Sequence, residues 1–96
     1  MGVKKIMLKP SYSKRILKSI ERCEKRGYDM LLLEDTANLL IEEKPLPFTC
    51  RPHKLIGNYA GFWECHIKFD WLLIYRYDYD NNEIIFEDTG THSDLF

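Results

Sequence analysis

The sequence lacks a run of roughly 18 consecutive apolar residues, the length a helix needs to cross a bilayer, and its N-terminus lacks the apolar block of a secretory signal. Both absences point to a cytoplasmic protein without a membrane contact. Cysteine is scarce: Cys23, Cys50 and Cys65 are odd in number, far apart and form no Cys-x-x-Cys pair, which excludes a disulfide scaffold and gives a zinc or redox centre no support. They are expected as small buried or half-buried thiols. No two histidines sit at i, i+4 on an expected helix either, so neither a metal nor a cofactor is expected. Strong charge of one sign is also missing. The net charge of −1 argues against a strongly basic nucleic-acid binder. Internal repeats, low-complexity tracts and linkers are absent.

What is present suffices for one domain over residues 1–96, since 45% hydrophobic and 14% aromatic content can bury a single modest core. The charge is unevenly spread. Residues 1–30 hold nine Lys/Arg against three Asp/Glu, whereas residues 61–96 hold two against eight. Screening confines surface fields to roughly 8–10 Å, so a basic face can contact RNA phosphates although the total is near zero. The same charges also describe a solvated helix face.

Hydrophobic spacing then gives the elements. Residues 4–8, ended by Pro10, predict a short first strand. From Ser11 onward Tyr12, Ile16, Ile20 and Cys23 recur at helical spacing, with Gly27 as the stop. Asp29 is placed to cap a second helix with a stripe of Met30, Leu33, Ala37 and Leu40, widened by Leu32 and Leu39 and ended by Pro45 and Pro47. The period then drops to two: Trp63, Cys65 and Ile67 alternate with Glu64 and His66, which places His66 on the less apolar face of a strand. Residues 71–77 are apolar or aromatic at nearly every position, as in a central strand covered on both sides. Asp80, Asn81 and Asn82 supply a hairpin turn, and residues 84–86 begin the last strand, which Thr89-Gly90-Thr91 ends. The order β-α-α-β-β-β implies an α+β fold with two N-terminal helices packed on a small twisted, mainly antiparallel sheet.

The chemistry-bearing residues fall in the second half. His53, His66 and His92 are the only histidines, and two imidazoles either side of a phosphodiester can serve as base and acid. Each taken alone is more readily a surface or hydrogen-bonded imidazole. Asp70 could orient an imidazole or simply turn the chain. Trp71 could stack on a base or fill the core, and Phe96 is either a packing plug or a stacking surface.

Three blocks carry a resemblance: His53-Lys-Leu-Ile-Gly-Asn-Tyr, Gly61-Phe-Trp-Glu-Cys-His66-Ile-Lys-Phe-Asp70-Trp-Leu-Leu-Ile-Tyr75, and Thr89-Gly-Thr-His92-Ser-Asp-Leu-Phe96. In this order and spacing they are similar to the YafQ-type branch of the RelE superfamily, from about Pro52 to the last residue. The preceding helix pair fits in order and length. The resemblance implies a RelE-like fold and a metal-independent ribonuclease that enters the ribosomal A site and cleaves messenger RNA by attack of a 2′-hydroxyl on its own phosphate. It implies His53, His66, Asp70 and His92 as the proton-handling and positioning set, with Trp71 and Phe96 contacting RNA. Among these His92 is assigned as acid, His66 or Asp70 as base, and His53 as a positioner of substrate. It also implies a heterocomplex with a small antitoxin whose helical segments wrap the toxin, and contact with operator DNA through that antitoxin. The basic first helix is the candidate for ribosomal RNA contact.

The chain departs from that pattern at three positions. Asp88 stands where relatives usually carry arginine, Trp63 where they often do, and Phe69 in place of a proline. The first two changes are expected to remove positive charge from the phosphate site and weaken activity. Lys54, Lys68, Arg76 and Arg51 are the candidate replacements. The alternative expectation is a catalytically weakened or inactive toxin-fold module that mainly binds its antitoxin.

Overall fold

A strand that is apolar at nearly every position needs cover on both faces, and the architecture follows from that demand. The computed structural model describes residues 7–96. Five strands, β1 (Lys9–Tyr12), β2 (His53–Lys54), β3 (Trp63–Lys68), β4 (Trp71–Asp78) and β5 (Glu83–Gly90), combine with helices α1 (Lys14–Lys25), α2 (Met30–Ile41) and α3 (His92–Leu95). They form one sheet in the order β1-β5-β4-β3-β2, in which only the β1-β5 pair is parallel. The expected α+β fold is present, and β4 lies at its centre. Two short elements are additions, the edge strand β2 and the single-turn helix α3; each is too short to show a hydrophobic period.

The first strand lies later than residues 4–8. Residues 4–6 fall outside the described residues, and the strand that is described runs through Pro10. Proline is tolerated there because β1 is an edge strand. The N–H groups of Lys9 and Ser13 bond to Asn82 and Phe86 of the β5 side, so by alternation the nitrogen of Pro10 faces away from the sheet. Tyr12 accordingly belongs to β1, with its ring stacked on Phe86 at 5.2 Å, and α1 begins two residues later.

Capping explains the helix limits. The Ser13 hydroxyl accepts from the Ile16 N–H at 3.0 Å and donates to the Glu87 carbonyl at 2.6 Å. Glu87 is the extra residue of a bulge, since Ile74 pairs with Asp88 but Tyr75 pairs with Phe86. Gly27, at φ +83°, turns the chain after α1, and Asp29 caps α2 through the Leu31 N–H, as expected. The second helix stops at Ile41, with Glu43 in left-handed geometry, before either proline is reached.

The two faces of the sheet differ. Under α1 and α2, Cys65, Leu73, Tyr75, Ile84 and Phe86 meet Ile16, Cys23, Leu33, Ala37 and Leu40. On the opposite face Leu72 and Ile74 are covered by Leu95 of α3 with Leu55, Tyr59 and Phe62. All three cysteines are free and buried, and burial pushes their thiols up. No helix among the described residues is long and apolar enough to cross a membrane.

Leu73→Ala is expected to lower the unfolding free energy by about 2–5 kcal/mol in urea titration. Leu95→Ala, at the rim of the smaller cluster, should cost less and show first as faster amide exchange at Leu95 and Phe96.

Candidate active site

Alternation along β3 puts Glu64 and His66 on the face away from α1 and α2, opposite Ile74 and Leu72 of β4. β2 adds His53 beside Glu64, and α3 brings His92 over the same surface. The two rings of His66 and His92 lie 6.1 Å apart, centroid to centroid. Phe96 follows at 6.3 Å from His92 and packs edge-on against Tyr59, which meets Phe62 the same way. Of the residues singled out from sequence, the structure brings together His53, His66, Asp70, His92 and Phe96.

Hydrogen bonds fix how the imidazoles are presented. A carbonyl oxygen only accepts, so Nδ1 of His66, 3.0 Å from the Phe69 carbonyl, carries a proton, and its Nε2 holds the lone pair in the neutral ring. His53 is held in the same way by the Arg51 carbonyl at 3.1 Å, with Nε2 3.3 Å from the buried carboxylate of Glu64. Asp70 accepts from both the His92 backbone N–H, at 3.0 Å, and the His92 ring at Nδ1. These bonds from His92 hold the Asp70 carboxyl below its ordinary value, backbone contribution first. A carboxylate so occupied is a weak base and a strong orienting group.

His92 is carried by a turn of only four residues, and that turn is held from outside. Thr91 and Asp94 form a capping box: the Asp94 N–H donates to the Thr91 hydroxyl and the Thr91 N–H to the Asp94 carboxylate. Arg26, at the end of α1, then grips Asp94 with both guanidinium nitrogens at 2.6 and 3.0 Å. That grip comes first among the causes that hold the Asp94 carboxyl far below the ordinary carboxylate range. Gly90, at φ +154°, leaves room for it, because a Cβ there would lie 2.8 Å from an Asp94 carboxylate oxygen. Neither Glu64 nor the Arg26-Asp94 pair emerged from the sequence reading. The Thr-x-x-Asp spacing at residues 91–94 was the available signal for the cap.

Four expectations are corrected. Trp71 is only 5% exposed, its indole N–H donates to Thr89 at 2.9 Å, and its ring packs on Tyr28, so it fills the core rather than offering a stacking face. Lys54 pairs with Trp63 and lies over its ring, on the opposite face from His53, because neighbouring strand residues alternate. Trp63 packs against the core under the helices, so a cation at that position would not have faced the histidines. Asp88 is buried with its carboxylate against α1, accepting from the Ser19 hydroxyl at 2.5 Å and its own neighbour's N–H at 2.9 Å. It is a packing partner of α1 rather than a charge directed at the histidines. Arg76 does share the site's face, over the Phe62 ring, but lies four residues along β4 from Leu72, roughly 13 Å from the His66 level. Lys68 stands at the β3-β4 turn, next to the site.

Comparisons with known proteins bear on the family and the fold. A family model described as the bacterial toxin of type II toxin-antitoxin systems, YafQ, matches residues 8–96. The mRNA interferase toxin YafQ of Escherichia coli K12 is 37% identical over 86 residues, covering 88% of this chain and 91% of that protein. Among solved structures, the Escherichia coli DinJ-YafQ toxin-antitoxin complex is similar with a TM-score of 0.84 at 36% identity, over 95% of this chain and 99% of that one. A metal-bound toxin from Helicobacter pylori is similar with a TM-score of 0.89 at 36% identity, over 94% and 100%.

Two outcomes test the site's supports. Because the Asp94 carboxyl is lowered by folding, its stabilisation is complete above about pH 4, the ordinary aspartate range, and is lost as the pH falls toward the depressed native value. Urea titrations from pH 6 to 2.5 should show that acid loss in the native protein and less of it in Asp94→Asn. Asp88→Arg, which forces a cation into the α1 interface, should lower stability by about 2–4 kcal/mol in the same assay.

Proposed function

Since the chain belongs to the YafQ family of bacterial toxins of type II toxin-antitoxin systems, we propose that it is an endoribonuclease that cleaves messenger RNA on the ribosome and so inhibits translation. The observation that carries this reading is the pair of imidazoles 6.1 Å apart, each with Nδ1 tied to a protein acceptor and Nε2 left for substrate.

That arrangement supports the following reaction. His66 Nε2 takes the proton of a ribose 2′-hydroxyl, and the 2′-oxygen attacks the adjacent phosphorus. The bond from phosphorus to the 5′-oxygen breaks, and that oxygen takes a proton from Nε2 of His92 in its imidazolium form. The products are a 2′,3′-cyclic phosphate and a free 5′-hydroxyl. Asp70 keeps the His92 ring in place and balances its charge while it holds both protons, as an orienting carboxylate does. His53, set by Glu64, borders the same surface and positions the substrate. Phe96 supplies an exposed aromatic edge beside His92 for a base.

The partner in this reading is an antitoxin that covers the histidine face, in a complex that reaches operator DNA through the antitoxin. The exposed lysines and arginines of α1, among them Lys14, Arg15, Lys18 and Lys25, are the surface for ribosomal RNA. The protein works in the cytoplasm, where its substrate is.

Cleavage of a ribosome-bound messenger RNA should fall roughly 100- to 10,000-fold in His66→Ala and in His92→Ala, with cyclic phosphate ends mapped on the native product. A folded native protein that binds ribosomes and cuts nothing would overturn the reading.

A further inference from the structure

Four residues other than glycine have positive φ among the described residues, and two of them serve the candidate site directly. Arg51, at φ +44°, offers its carbonyl to His53, and Phe69, at φ +42°, offers its carbonyl to His66. Left-handed geometry is costly for a bulky side chain, of order 1–3 kcal/mol, and persists where surrounding structure demands it. Holding the two histidines accounts for the backbone. It does not account for what the side chains do. Phe69 is 86% exposed, and Phe48, at the start of the turn that ends in Arg51, is 88% exposed. Two phenylalanines so fully in water gain nothing from the fold.

They border one cavity of about 400 Å³, lined by Phe48, Thr49, Arg51, His66, Ile67, Lys68 and Phe69. Its composition is selective. Residues 61–96 hold eight carboxylates and two cations, yet this cavity takes Lys68, one of those two cations, together with Arg51 and no carboxylate. Lys68 lies 5.8 Å over the Phe69 ring, which leaves the ammonium beside an aromatic face. His66 forms the wall shared with the site. Exposed aromatic faces accept unstacked bases, and neighbouring cations accept the phosphates between them.

We propose that this cavity is a nucleotide subsite for single-stranded RNA: Phe48 and Phe69 stack on one base flanking the scissile bond, while Arg51 and Lys68 hold its phosphate. The subsite rests on the endoribonuclease reading for its substrate but not for its ligand class, and the two fail separately.

Phe48→Leu and Phe69→Leu keep apolar bulk and remove the π-face; Phe69→Tyr restores the face. In cleavage of ribosome-bound messenger RNA, each leucine variant should raise KM roughly 5- to 100-fold, the effect of one lost stacked base, with kcat largely kept and Phe69→Tyr near native. Native cleavage with unchanged KM in both leucine variants would overturn the subsite and leave the activity standing. If the native protein cuts nothing, fluorescence titration with an uncleavable 2′-O-methyl oligonucleotide decides instead. Weaker binding in the leucine variants supports the subsite without the activity, and equal binding overturns it. Loss of antitoxin affinity with RNA binding intact would overturn it in favour of a protein-docking face.

Discussion

The site depends on one carboxylate that is not in it. A four-residue helix has too few internal hydrogen bonds to hold its own shape, so the turn bearing His92 is fixed by what grips it. Asp94 provides the grip by closing the capping box with Thr91 and by accepting both arms of Arg26 from the far end of α1. The same turn presents Leu95 to the sheet and Phe96 to solvent beside Tyr59. Release of that turn would leave the folded core in place and disperse His92, Phe96 and the Asp70 contact.

A second constraint works through backbone carbonyls. His53 and His66 both donate from Nδ1 to the carbonyl of a residue in left-handed geometry, and His92 donates from Nδ1 to Asp70. The three imidazoles thus each donate from Nδ1, and Nε2 of His53 in addition faces the Glu64 carboxylate. Backbone acceptors are rigid and carry no net charge, so they orient His53 and His66 without neutralising them. His53 and His92 each have a carboxylate beside them, Glu64 at Nε2 of the first and Asp70 at Nδ1 of the second, whereas the group that orients His66 is a backbone carbonyl.

Expectation and structure part at particular residues, for physical reasons. The helices were legible because Ile16, Cys23, Leu33, Ala37 and Leu40 repeat at the helical period and really do face the sheet. β4 was legible because a two-sided strand leaves an unbroken apolar run. Trp71 misled because indole chemistry is the same in a core and on a surface, and only Thr89 and Tyr28 decide which it meets. Lys54 misled because it is adjacent to His53 in sequence, whereas adjacency in a strand means opposite faces. Asp88 looked like a charge at the phosphate site because its neighbours in sequence are there, but it is spent on Ser19 across 69 positions.

By itself the sequence determined the α+β class and the order of the longer elements, because periodicity and caps are written in neighbouring residues. Tertiary structure alone decided which side chains share the site. It placed His66 across from His92, lent Arg26 and Glu64 as supports, and turned Trp71, Lys54, Trp63 and Asp88 elsewhere. Those outcomes depend on strand pairing, the bulges of β3 and β5 and contacts between residues far apart in the chain, and none of these leaves a local pattern to read.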